Sequence, residues 1–122
     1  MSQDNKDPGV YLGHILDSIQ SIENYLFGKS LEDFLTDQLL QDGVIRRLEV
    51  IGEAVRQMPG IFKSKYPDTP WRDIGDTRNK LIHEYFGVDF VLAWKIVHND
   101  FPSLKKQIQY ILDLEKISTS QD

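Results

Sequence analysis

From Tyr11 to Leu26 the apolar residues return at three- and four-residue steps, as Tyr11/Leu12, Ile15/Leu16, Ile19, Ile22 and Leu26. No other feature constrains the fold as strongly. Residues three and four apart share one side of a helix, so this spacing predicts a helix with a buried face rather than a strand. It starts at Pro8 and should stop near Gly28. Ser30 reads as the N-cap of a short helix over Leu31 to Leu35, and Thr36 or Asp37 as the cap of a longer one reaching about Met58. Val44, Ile45, Leu48, Ile51 and Val55 form its buried stripe. Gly43 and Gly52 lie within that stretch, where each costs roughly 1 kcal/mol relative to Ala, and the close approach of another helix would account for them.

Pro59-Gly60 ends this segment, and Ile61 to Pro70 is a connector holding one short turn. Pro70 then opens a further helix, with Thr69 as N-cap, Asp73 in its first turn and Gly87 as its close. Asp89 should cap Phe90 to His98. Asp100 and Pro102 should open a last helix through about Ile117, burying Leu104, Ile108, Ile111, Leu112 and Leu114 or Ile117, unless Pro102 kinks one continuous helix. Strand-like alternation of useful length, internal repeats and low-complexity stretches are absent. The expected fold class is all-α, an antiparallel bundle of four to five helices, with one domain over residues 8–117 and disorder at 1–7 and 118–122.

Composition narrows the chemistry. Without cysteine there are no disulfides and no zinc-thiolate sites. No apolar run approaches the ~20 residues that span a bilayer, and the opening MSQDNKDPGV is polar and acidic, so a soluble cytoplasmic protein is expected. A net charge of −5 argues against indiscriminate binding to DNA or anionic membrane. Residues 1–42 hold two Lys/Arg against eight Asp/Glu, whereas residues 43–98 hold nine against seven. A locally basic cleft for a phosphate-bearing substrate is compatible with that distribution.

The basic segment contains Trp71 to Asp89, WRDIGDTRNKLIHEYFGVD, and within it Arg78, Asn79, His83 and Tyr85. They bring a fixed cation, an amide, a side chain that titrates near neutrality and a phenol into one short stretch. In a regular helix Arg78 and Tyr85 would share a face and Asn79 would stand one turn before His83, while Arg78 and His83 would point about 140° apart. A long Arg side chain reaching round, a loosened last turn before Gly87, or a second copy across a two-fold axis would unite them. Taken alone, the residues also fit a surface ion pair, a histidine favouring the helix dipole and a half-buried tyrosine.

The order Arg78-Asn79-x-x-x-His83-x-Tyr85 resembles the signature of the HEPN superfamily in the R-x-x-x-x-H-x-Y version of HepT toxins. The likeness runs through Pro70 to Asp89 and, upstream, through VIRRLEVIGEAV, Val44 to Val55. It implies a HEPN-like helical homodimer whose two motifs face each other, acting on RNA as a metal-independent endoribonuclease toxin with no cofactor. It also implies an MntA-type nucleotidyltransferase antitoxin, joined in a larger hetero-oligomer, that silences the toxin by transferring AMP from ATP to Tyr85. Such cleavage needs a base for the ribose 2′-hydroxyl, which His83 can be, and a cation for the phosphorane, which suits Arg78. Asn79 would orient the imidazole or the phosphate, and Tyr85 would stack on a base or bond to phosphate. AMP on Tyr85 would then place bulk and negative charge where substrate must sit. The alternative is a non-catalytic helical module that binds the nucleotidyltransferase and presents a substrate to it or regulates it.

The remaining candidates have plainer readings. Glu49 and Glu53, one turn apart, are expected at polar interface or surface positions rather than at a metal. His14 and His98 read as satisfied surface or partly buried histidines. One of Arg46 and Arg47 should face solvent while the other contributes to the basic cleft. Trp71 and Trp94 should pack in the core or at a dimer interface, and Lys105-Lys106 should be solvated.

Overall fold

The computed structural model describes residues 7–83 and 87–120, without the side chains of His83 and of residues 117–120. Helix α1, Pro8–Leu26, begins where Asp7 Oδ1 accepts from Gly9 N at 2.8 Å and buries Leu12, Ile15, Ile19, Ile22 and Leu26. Gly28, at φ 73°, turns the chain away in a conformation that only glycine adopts cheaply. Helix α2, Leu31–Thr36, opens on a capping box in which Ser30 Oγ accepts from Asp33 N and Asp33 Oδ2 from Ser30 N. Those bonds hold the Asp33 carboxyl below its ordinary pKa. Of the two cap candidates for the next helix, Asp37 serves: its Oδ1 accepts from Leu40 N at 3.1 Å at the start of α3, Gln38–Gln57.

The expected connector holds one short helix, α4, Gly60–Ser64. Beyond it come α5, Trp71–Gly75, and α6, Thr77–Leu81, then the two-residue strands β1, Ile82–His83, and β2, Gly87–Val88. Helix α7, Phe90–Asn99, is capped by Asp89 Oδ1 on Leu92 N at 2.9 Å, and α8 spans Phe101–Ser120. Asp100 separates the last two as the C-cap of α7, so Pro102 stands in a first turn, where its missing N–H is not needed. Helix therefore covers most of the described residues, in line with the all-α expectation.

The core is one continuous cluster. Helix α1 packs chiefly against α3 and α8, α7 against α2 and α8, and α3 against α5 and α6. At its centre Phe34 is fully buried, edge-on to Phe90 at 5.6 Å between ring centroids and 5.9 Å from Trp94. Both α3 glycines mark close approaches: a Cβ on Gly43 would stand 3.2 Å from the Tyr25 ring, and one on Gly52 3.0 Å from the Gly75 carbonyl oxygen.

Three expectations need correction. The motif does not lie on one helix closed by Gly87, because the chain breaks at Asp76 (φ −98°, ψ 3°) and leaves helical geometry at Ile82 (φ −88°, ψ 124°). Ile82 pairs with Val88 and His83 with Gly87, and Asp89 N donates to Leu81 O at 2.7 Å. Thr69 is not a cap either; Pro70 precedes α5 with no side-chain cap bond, and Thr69 is buried. Lys105 reaches across to α1 and bonds to Glu23 at 2.8 Å, leaving Lys106 as the solvated lysine. Helix α8 runs to Ser120. Disorder expected at residues 1–6 and 121–122 lies outside the described residues.

Trp71 is buried, its indole N–H donating to Lys63 O and Tyr66 O, whereas Trp94 is half-buried and stacks on exposed His98 at 4.0 Å. His14 is exposed, edge-on to Tyr11 at 6.0 Å. Among the described residues no helix is long and apolar enough to cross a membrane.

Candidate functional site

The buried stripe of α3 has a polar counterpart on its flank. Arg46, Glu49, Glu53 and Arg56 follow at three- and four-residue steps, with Gly52 three residues after Glu49, so they line up along one side of the helix. Against that side sit α5 and α6. Between them lies a cleft of about 660 Å³, lined by Arg46, Leu48, Glu49, Gly52, Glu53, Arg56, Gly75, Arg78 and Asn79.

Close contact makes the cleft possible. With only hydrogen on Gly52, the Gly75 carbonyl can approach α3, and Arg56 Nη1 donates to that carbonyl oxygen at 3.0 Å. The bond satisfies an acceptor at the C-terminal end of α5, where helix carbonyls lack intrahelical partners. Glu53 in turn receives Arg56 Nη2 at 3.3 Å and Gln57 Nε2 at 2.8 Å. Glu49 crosses from α3 to α6, its Oε2 accepting from Arg78 Nε at 3.1 Å while its Oε1 lies 3.6 Å from Arg46 Nη1.

Thus Arg78 and Asn79, the first two motif residues, stand together in the cleft. His83 belongs to β1, two residues past the end of α6; its side chain, and the whole of Tyr85, lie outside the described residues. Arg46 is the member of the Arg46-Arg47 pair that lines the cleft. Glu49 and Glu53 each engage arginine rather than each other, and among the described residues no three His, Cys, Asp or Glu side chains gather as a metal site would need.

The excess of basic residues does not collect on one face. Lys80, two residues after Arg78, pairs with Asp73 at 3.5 Å and lines a different hollow with Asp68 and Asp100. Lys63 donates to Val55 O, and Lys65 pairs with Glu115 at 3.1 Å. The cleft's own side chains are three arginines against two glutamates. Reading the residues one motif at a time missed the link from Glu49 to Arg78 and the role of Arg56. The periodic polar stripe on α3 was the signal that could have found both.

These features define a mostly helical protein with an arginine-lined cleft built between two distant parts of the chain. The chain belongs to the HepT-like ribonuclease family: the model described as "Ribonuclease HepT-like" matches residues 15–111. Among curated proteins it is 45% identical over 109 residues to the "probable ribonuclease HepT" of Thermococcus cleftensis, covering 89% of this chain and 96% of that one. A "putative RNase" of Caldanaerobacter subterraneus is 42% identical over 111 residues, covering 91% and 99%. A "gamma-glutamylcyclotransferase and putative RNase" of Methanocaldococcus jannaschii is 47% identical over 108 residues, 88% of this chain, which spans about half (49%) of that longer protein. No solved structure matches the chain.

Proposed function

We propose that this protein is a metal-independent endoribonuclease and the toxin of a toxin–antitoxin pair. Family membership supports the ribonuclease class, and the observation that carries the site is the setting of Arg78. Its guanidinium is held through Nε, neither Nη bonds to a described residue, and Asn79 stands beside it in a cleft of about 660 Å³. A planar guanidinium whose two Nη amino groups have no partner among the described residues suits paired phosphate oxygens.

In the reaction His83 takes the proton of a ribose 2′-hydroxyl, the 2′-oxygen attacks the adjacent phosphorus, and the 5′-oxygen leaves with a proton returned to it. Arg78 stabilises the charge on the phosphorane, and Asn79 orients the phosphate or the imidazole. The products are a 2′,3′-cyclic phosphate and a 5′-hydroxyl. Two copies of the chain form a homodimer that brings their motifs face to face. A nucleotidyltransferase antitoxin neutralises the toxin by adding AMP to Tyr85, which sets bulk and negative charge against the substrate.

The test is incubation of the free protein with RNA in the presence of a chelator, alongside Arg78→Ala and His83→Ala. Cleavage by the wild type and loss of about a hundredfold or more in each variant is the expected result. An inert wild type, or variants that cleave as well as it does, would overturn the reading.

A further inference from the structure

A carboxylate is an odd neighbour for an arginine that must meet phosphate. Glu49 could compete with the substrate, or it could fix the arginine in place, and the atoms engaged distinguish the two. A phosphate stand-in would take the forked Nη edge of the guanidinium. Glu49 takes Nε alone, at 3.1 Å, and leaves both Nη groups without a described partner.

The carboxylate has a second basic neighbour on its own helix. Its second oxygen faces Arg46 Nη1 at 3.6 Å, and one turn further along α3 the Gly52–Gly75 approach and the Arg56–Gly75 hydrogen bond lock that helix to the segment leading into Arg78. Arg78 has a long, flexible side chain that is 44% exposed, so without such a hold it would sample many directions before substrate arrived. Holding a reacting group in its productive orientation removes that search from the barrier.

We propose that Glu49 is the positioning residue of Arg78, gripping the guanidinium through Nε so that its two Nη groups face a phosphodiester in the cleft. This inference rests on the ribonuclease reading and adds to it a residue from a second, distant helix.

Two measurements on the full chain test it. In steady-state cleavage of one defined RNA, Glu49→Ala should lower kcat about 10- to 100-fold and raise KM far less. Glu49→Gln, whose amide oxygen still accepts from Nε, should recover most of the rate. In an Arg78→Ala background Glu49→Ala should add no further loss, because the interaction it serves is already gone. In ¹⁵N spectra the Arg78 Nε–H resonance should shift in Glu49→Ala and stay close to its wild-type position in Glu49→Gln. A Glu49→Ala protein that cleaves as fast as the wild type while Arg78→Ala is about a hundredfold slower overturns the positioning role, and one that cleaves faster identifies Glu49 as a competitor of phosphate. If the wild type cleaves nothing, the ribonuclease reading falls instead, and an Nε–H signal indifferent to Glu49 would remove the positioning contact as well.

Discussion

The carbonyl oxygen of Gly75 lies 3.0 Å from where a Cβ on Gly52 would stand. That single approach sets the width of the cleft, because it fixes α5 and α6 against the flank of α3 that bears Arg46, Glu49 and Arg56. Gly52→Ala should therefore strain a backbone contact that cannot rotate away, with a loss of about 1–3 kcal/mol in stability and a cleft splayed open at Arg78. Chemical denaturation and cleavage rate together check this. A variant more stable than the wild type by about 1 kcal/mol, the helix-propensity gain alone, would show that the helices part without cost.

Phe34 joins α2 to α7 through Phe90 and Trp94 and is fully buried. Phe34→Ala should remove about 3–5 kcal/mol, from lost burial and from the cavity left beside the Phe90 and Trp94 rings. The midpoint of urea unfolding reads this directly.

Asp37 supplies the cap of α3, and its replacement by alanine leaves Leu40 N without that acceptor. A loss of about 1 kcal/mol is expected, with Asp37→Asn close to the wild type because the amide oxygen still accepts. A thermal melt of each variant separates the two outcomes.

Tyr66 and Glu115 tie α4's end to α8 by a short hydrogen bond, with Lys65 on the same carboxylate oxygen. Burial first, and then that bond, push the Tyr66 hydroxyl up to about 12. Accepting from Tyr66 outweighs burial at Glu115 and, with Lys65, holds its carboxyl below the ordinary 4.5. A depressed carboxyl adds stability above its unfolded pKa and loses it as pH falls through the folded value; a raised phenol loses its share as pH climbs from 10 towards 12. Wild type should thus exceed Glu115→Gln in Tm at neutral pH, and the gap should close on acidification below pH 4.5. A gap independent of pH would show that the carboxylate charge contributes nothing.

How far the sequence could be read depended on how local each determinant is. The caps at Ser30, Asp37 and Asp89 act on amides three residues away, and the apolar stripe of α1 needs only its own period, so these were legible, with Thr36 left as a rival to Asp37. The end of α6 was not. Between Thr77 and Gly87 no glycine or proline signals a break, and what ends the helix is the pairing of Ile82 and His83 with a strand beyond residues 84–86. Glu49 illustrates the same limit at the site: its partner Arg78 lies 29 residues on, and only the packing of α3 on α6 brings them together. The motif named Arg78, Asn79, His83 and Tyr85; of these, the described side chains place Arg78 and Asn79 in one cleft.

The measurement that tests the account most directly is the chemistry of the cut ends, read by mass spectrometry of a defined RNA digested by the free protein in chelator. Arg78 and His83 acting on a 2′-hydroxyl predict a 2′,3′-cyclic phosphate on one fragment and a 5′-hydroxyl on the other, both lost in Arg78→Ala and His83→Ala. Fragments ending in 3′-hydroxyl and 5′-phosphate, or cyclic ends that persist in those variants, would contradict it.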